Sequence, residues 1–170
     1  MISKRLRVLL GLSGLTVWGL AAVGTAGPMT DIVRVDDYIG APRALFGRTG
    51  ADAERILGPP IDAQPGAVAS YLDPAVLHPT RRLTYPGLVI DVLATGRIRR
   101  VRIGAPGWGL PFGLDVGSRG DEVERVLGEP QEATDRYLMY LYSDGYPETV
   151  HFYLRDGVVR GIEWNFGSAE

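Results

Sequence analysis

A chain of 170 residues, 45% hydrophobic and 22% charged, has a globular composition and is long enough for one ordinary domain or two small ones. Its formal charge of -2 leaves no excess of cations to displace counterions from phosphate backbones, which argues against a general nucleic-acid binder. Cysteine is absent, and with it any disulfide framework, thiolate metal site, cysteine nucleophile or lipidated cysteine.

Lys4, Arg5 and Arg7 precede an uncharged run, VLLGLSGLTVWGLAAV (8–23), and the small residues GTAG (24–27). A basic end, an apolar centre and a small-residue cleavage site are the three parts of a secretory signal, so residues 1–26 read as a signal peptide cut after Ala26. The rival is a membrane anchor through residues 8–26, but its centre is glycine-rich and shorter than the ~20 strongly apolar residues a span prefers. The chain is therefore expected in the periplasm or outside the cell, with membrane attachment if the segment is retained.

Further along, IVRVDDY (32–38) suggests a leading strand. Thr49, with Asp52 three residues on, opens a short helix whose Ala53, Ile56 and Leu57 form one apolar stripe. Gly58 can close it in a left-handed conformation, and Pro60 forbids continuation. The stretch 65–80 reads as a spacer. LVIDVL (88–93) and RIRRVRI (97–103) are strands flanking Thr95-Gly96, PGWGLP (106–111) is a hinge, and PFGLDV (111–116) is a second leading strand. Then the helix phrase returns: Ser118 and Asp121 as caps, Val123, Val126 and Leu127 as the stripe, Gly128 and Pro130 as the stop. YLMYLYS (137–143), TVHFYLR (149–155) and VVRGIEWNF (158–166) are aromatic and β-branched strands, the last two joined by Asp156-Gly157.

The return is systematic. Gly50, Glu54, Arg55, Leu57, Gly58 and Pro60 recur as Gly120, Glu124, Arg125, Leu127, Gly128 and Pro130, and Tyr-Pro opens both 85–103 and 146–164. Two matching blocks in the same order indicate a duplicated unit. Helices this short do not persist alone in water, so each must lie on a sheet. The expected fold is α+β: two tandem modules, 31–105 and 106–170, each a short helix packed on an antiparallel meander of about three strands.

A helix ending Leu-Gly-x-Pro, introduced by a Gly-Ser/Thr turn and followed by an antiparallel hairpin, resembles the SmpA/BamE-like and β-lactamase-inhibitor-protein-like superfamily. The motif runs from Gly117 to Pro130, with a weaker copy from Gly47 to Pro60, and covers most of the chain beyond residue 30 as a tandem pair. The resemblance implies small exported or envelope-attached modules that bind other proteins through a sheet surface and loops, as an outer-membrane assembly accessory and as secreted hydrolase inhibitors do. The chain departs from the former in lacking the lipidated cysteine and from the latter in lacking disulfides. Gly58, Pro60, Gly128 and Pro130 match as structural positions, so no specific partner or binding residue carries over.

Candidate sites are few. His78 and His151 have no metal-ligand spacing, Glu122, Glu124 and Glu129 suit a solvated helix face, and the glycines at 104–109 lack a phosphate-loop pattern. No catalytic, metal or cofactor site is assigned. Arg97, Arg99, Arg100 and Arg102 form the densest charge cluster; keeping Ile98, Val101 and Ile103 on one face requires a bulge near Arg99-Arg100, with Asp91 opposite. With Phe152, Leu154, Ile162, Trp164 and Phe166 facing the core, Tyr153 shares the other face with His151 and Arg155; Tyr140 joins them as a candidate contact. The expected function is a non-enzymatic protein-binding module of the cell envelope, an assembly accessory or a hydrolase inhibitor, with an envelope or secreted protein as partner. The alternative is a ligand-binding or enzymatic protein with a polar pocket between two sheets, holding His151, Arg155 and Glu163.

Overall fold

The computed structural model describes residues 29–70, 73, 75–144 and 147–167. The expected signal peptide or anchor, residues 1–26, lies outside them. In chain order the elements are α1 (Ile32–Phe46), α2 (Gly50–Leu57), β1 (Asp62–Ala69), β2 (Leu77–Tyr85), β3 (Leu88–Leu93), β4 (Ile98–Ile103), a 3-10 turn (Pro111–Gly113), α3 (Gly120–Leu127), β5 (Glu132–Ala133), β6 (Tyr137–Leu141), β7 (Thr149–Arg155) and β8 (Val158–Asn165). The fold is α+β, and its eight strands form one antiparallel sheet in the order β1-β2-β3-β4-β8-β7-β6-β5.

Strand alternation builds the core. Leu83, Ile90, Val101, Trp164, Val150 and Tyr140 stand opposite one another across six successive strands, and all are fully buried. Val35, Tyr38, Ile39 and Phe46 of α1, Ala53 of α2, and Val123 and Leu127 of α3 join them in the same cluster. β4 pairs with β8 from Arg100↔Asn165 to Ile103↔Ile162, so the strands before and after the 106–111 connection form one continuous sheet. Among the described residues there are thus not two separate sheets.

Several local expectations are corrected. Residues 32–38 are helical: Asp31 caps α1 by accepting from the Arg34 amide at 3.2 Å. Val35, Tyr38, Ile39, Pro42 and Phe46 bury one face at helical spacing, which outweighs the strand-like alternation of Ile-Val-Arg-Val. Pro111–Gly113 is a 3-10 turn rather than a strand, and Leu114 beyond it is fully buried. Within the expected spacer, residues 65–69 and 77–80, His78 among them, lie on the paired strands β1 and β2. Pro65 fits there because β1 is an edge strand. Each meander thus has four strands, counting the two-residue β5.

The helix ends follow the sequence in part. Thr49 and Asp52 make a reciprocal capping box, but α3 has Arg119 at its N-cap and no side-chain cap; Ser118 Oγ accepts from the Asp115 amide instead, at 3.0 Å. Gly58 (φ 82, ψ -173) and Gly128 (φ 79, ψ -161) close their helices at positive φ with extended ψ, a region essentially confined to glycine. The two ends share further contacts. Tyr85 Oη donates to the Gly58 carbonyl at 3.3 Å and Tyr140 Oη to the Gly128 carbonyl at 3.0 Å. At the helix starts, the Gly50 amide donates to Gly96 O at 3.0 Å and the Gly120 amide to Gly157 O at 2.9 Å.

α1 precedes the first meander but is fastened to residues beyond 106. The Asp31 amide donates to Leu127 O at 2.8 Å, Tyr38 Oη to Leu114 O at 2.9 Å, and the Ser143 amide to Asp36 at 3.0 Å, while Arg43 pairs with Glu148.

Candidate functional site

The side chains that alternate with the core row point to the other face of the sheet. Arg82, Asp91, Arg100, Asn165 and Thr149 form one row across it, and Val89, Arg102, Glu163, His151 and Met139 the next. Tyr153 and Tyr137 lie opposite each other one step further along.

The charges on this face are matched where they are buried. Asp91 is 1% exposed and receives Arg82 Nε at 3.0 Å and Arg100 Nη2 at 2.6 Å. Glu163 is 6% exposed and receives Arg102 Nε at 2.8 Å and Asn165 Nδ2 at 3.2 Å. Each carboxylate is thus desolvated but met by charge-assisted hydrogen bonds, the condition under which a buried ion is tolerated. The space among Arg82, Val89, Asp91, Arg100 and Arg102 is only about 90 Å³, well below the size of a small-molecule site.

Beside the charges lies an aromatic cluster. The His151 ring stacks on Tyr153 at 6.1 Å and tilts against Tyr137 at 5.7 Å, and the two tyrosines meet edge-on at 6.5 Å. Burial pushes the His151 imidazole below its ordinary value, against the opposing charges of Glu163 and Glu132. Burial, reinforced by the Glu163 charge, raises the Tyr153 phenol. Rigid aromatic faces beside engaged guanidinium groups are features of protein contact surfaces.

Arg100, Arg102, His151 and Tyr153 are brought together here. The other sequence candidates are not. The expected bulge is present: pairing steps from Asp91↔Arg100 to Val92↔Ile98, leaving Arg99 as the extra residue. Arg99 therefore turns off the open face, is 5% exposed, and donates to the Phe166 carbonyl. Arg97 stands at the same end of the sheet, next to the start of α2. Arg155 is exposed at the opposite end of β7, beside the Asp156-Gly157 turn. Tyr140 belongs to the core row, so it offers no surface. Gly58 and Gly128 cap the ends of α2 and α3, and Pro60 and Pro130 follow two residues on.

Arg82, Tyr137 and Met139 complete the face and were not singled out by sequence. Arg82 is hidden in the sequence because 65–80 reads as a spacer and the residues after it carry no clear strand alternation. Tyr137 and Met139 could have been found by extending the alternation of β7 to its neighbour β6. His78 and His151 are separated in the sheet by β3, β4 and β8. Among the described residues no group of three or more His, Asp or Glu side chains is placed to hold a metal ion, and no helix is long and apolar enough to cross a membrane. No known family, no curated protein and no solved structure matches the chain.

Proposed function

We propose that this chain is an exported, non-enzymatic protein-binding module of the cell envelope or exterior, built from a duplicated helix-plus-meander unit. The duplication is supported by equivalent contacts in the two halves: a tyrosine hydroxyl on each helix-ending glycine, a glycine amide at each helix start bonded to the hairpin turn, and a bulge at Arg99 and at Arg160. The kinship with SmpA/BamE-like and β-lactamase-inhibitor-like modules rests on the same helix-and-hairpin pattern.

The observation that carries the binding role is the open sheet face, where Tyr137, His151 and Tyr153 adjoin Arg102 and Arg100 with no helix of the core cluster on that side. A partner would lay an acidic and apolar surface against it, contacting the aromatic cluster first.

Site-specific photocrosslinking in intact cells tests this. A photoreactive residue at Met139 or Tyr153 should trap one envelope or secreted protein, whereas the same probe at Ile56 or Arg125, on the helix side, should not. Equal trapping from both sides, or none from the sheet, refutes the assignment.

A further inference from the structure

Away from the open face, α1 and the 3-10 turn enclose a groove of about 560 Å³, within the range of small-molecule sites. Asp37, Ala41, Ala44 and Leu45 stand at i, i+4, i+7 and i+8, so they share one face of the helix. Pro111 and Phe112 form the opposite wall. The small side chains at positions 41 and 44 leave the space between the two walls open.

The far wall is held under strain. Phe112 has φ 59 and ψ 10, a region that bulky residues avoid. Leu110 and Leu114 on either side of it are buried, and these two anchors hold the strained residue above the core. Its side chain is nonetheless 45% exposed, so burial within the fold does not offset the strain. A half-exposed ring fixed beside a groove is a surface that a ligand would cover.

The groove is also electrically one-sided. Among the described residues its lining holds no cation. Arg34, one turn before Asp37, is engaged by Asp31 at 3.3 Å and by the Val126 carbonyl at 3.2 Å, with its guanidinium 5.8 Å over the Phe112 ring. Asp36 lies on the adjoining helix face, where it accepts from the Ser143 amide at 3.0 Å. Asp37 is exposed at the rim and forms no ion pair among the described residues. A carboxylate beside low-dielectric walls attracts a cation more strongly than one in open water.

We infer that this groove binds an organic cation, an amine carried on an aryl-alkyl body, independently of the sheet face. The ammonium group pairs with Asp37. The apolar body lies along Ala41, Ala44 and Leu45 and packs against the Phe112 ring.

The test is calorimetric titration of the full chain with phenylbutylamine, phenylbutanol and phenylbutanoate, which share one body and differ in charge. The amine should saturate a single site and bind about threefold more tightly than the alcohol, as an exposed ion pair allows, with the carboxylate weakest. Asp37→Asn, altered at an exposed and unpaired side chain, should bring amine and alcohol to equal affinity with an unchanged urea midpoint. Ala44→Trp, which fills the groove, should weaken all three at least tenfold, and Asp62→Asn, on β1, should bind as the parent does. No saturable binding of the amine, equal affinity for amine and alcohol in the parent chain, or an undiminished preference for the amine in Asp37→Asn overturns the inference.

Discussion

The indole N–H of Trp164 donates to the backbone carbonyl of Tyr38 at 3.1 Å, with both residues fully buried. The carbonyl is open to it because position 42, four residues on in α1, is proline and has no N–H to offer. A sequence choice that would weaken an isolated helix here ties α1 to the sheet, and the Tyr38 and Trp164 rings stack at 5.7 Å around the same bond.

Trp164→Phe should therefore leave a buried acceptor without a donor and cost about 1–3 kcal/mol beyond the packing change. In a Pro42→Ala background the alanine amide can take over, so the same substitution should cost on the order of 1 kcal/mol less. Urea unfolding of the four proteins gives the coupling directly. Equal costs in both backgrounds would reduce Trp164 to a packing residue.

The same pair explains how far the sequence could be read. The short helices, their glycine stops and the strands from Leu88 to Ile103 and from Tyr137 to Asn165 carry strong local signals: a capping box, a three-residue apolar stripe, aromatic and β-branched alternation. α1 does not. Gly40 and Pro42 interrupt it, and its first residues alternate as a strand would, so the helical face at Val35, Tyr38, Ile39 and Phe46 is decided by tertiary burial. β1 reads as a loop because an edge strand tolerates Pro65 and Gly66. Of the binding candidates, Arg102, His151 and Tyr153 were legible from strand parity. Tyr140 was not, since its face depends on the register in which β6 pairs with β7.

Gly58 and Gly128 occupy the same backbone region but different surroundings. An added Cβ at Gly58 meets nothing within 4 Å, so Gly58→Ala should cost only the backbone strain, about 1–3 kcal/mol. At Gly128 the same atom would lie 2.2 Å from Met29 O and 2.8 Å from the Asp31 amide, and the start of α1 must lift away. Gly128→Ala should lower the urea midpoint clearly more than Gly58→Ala. Equal shifts would mean that residues 29–31 do not hold that place in solution.

Acid should weaken the fold in two stages. His151 sits between Tyr137, Tyr153 and Glu163, and burial depresses its imidazole below 6.5, so the unfolded chain binds the proton more readily. Its contribution to stability is complete above pH 6.5 and is lost as pH falls through the folded value; His151→Gln should flatten this limb. Asp52 is lowered from 3.8 to about 2 by the Thr49 hydroxyl, Arg55 and the Arg48 amide. Its contribution persists at pH 5 and disappears as pH falls from 3.8 towards 2, a loss that Asp52→Asn should abolish. Urea midpoints measured between pH 2 and 8 separate the stages, and a His151 variant with an unchanged slope near pH 6 would contradict the first.

Asp91 and its two arginines make an unequal bargain. The carboxylate is 1% exposed, whereas the Arg82 and Arg100 side chains are 42% and 18% exposed. Asp91→Asn lets both guanidinium groups turn towards water and should cost comparatively little. Arg82→Ala/Arg100→Ala strands a buried carboxylate and should cost about 3–5 kcal/mol. The order matters for binding as well as for stability. Because Asp91 already occupies Arg82 and Arg100, and Glu163 occupies Arg102, the guanidinium groups present little free charge to a partner, and recognition falls to Tyr137, His151 and Tyr153. Tyr153→Ala should therefore reduce photocrosslinking from Met139 more than Arg82→Ala does. The reverse order would move the contact surface from the aromatic cluster to the charged row.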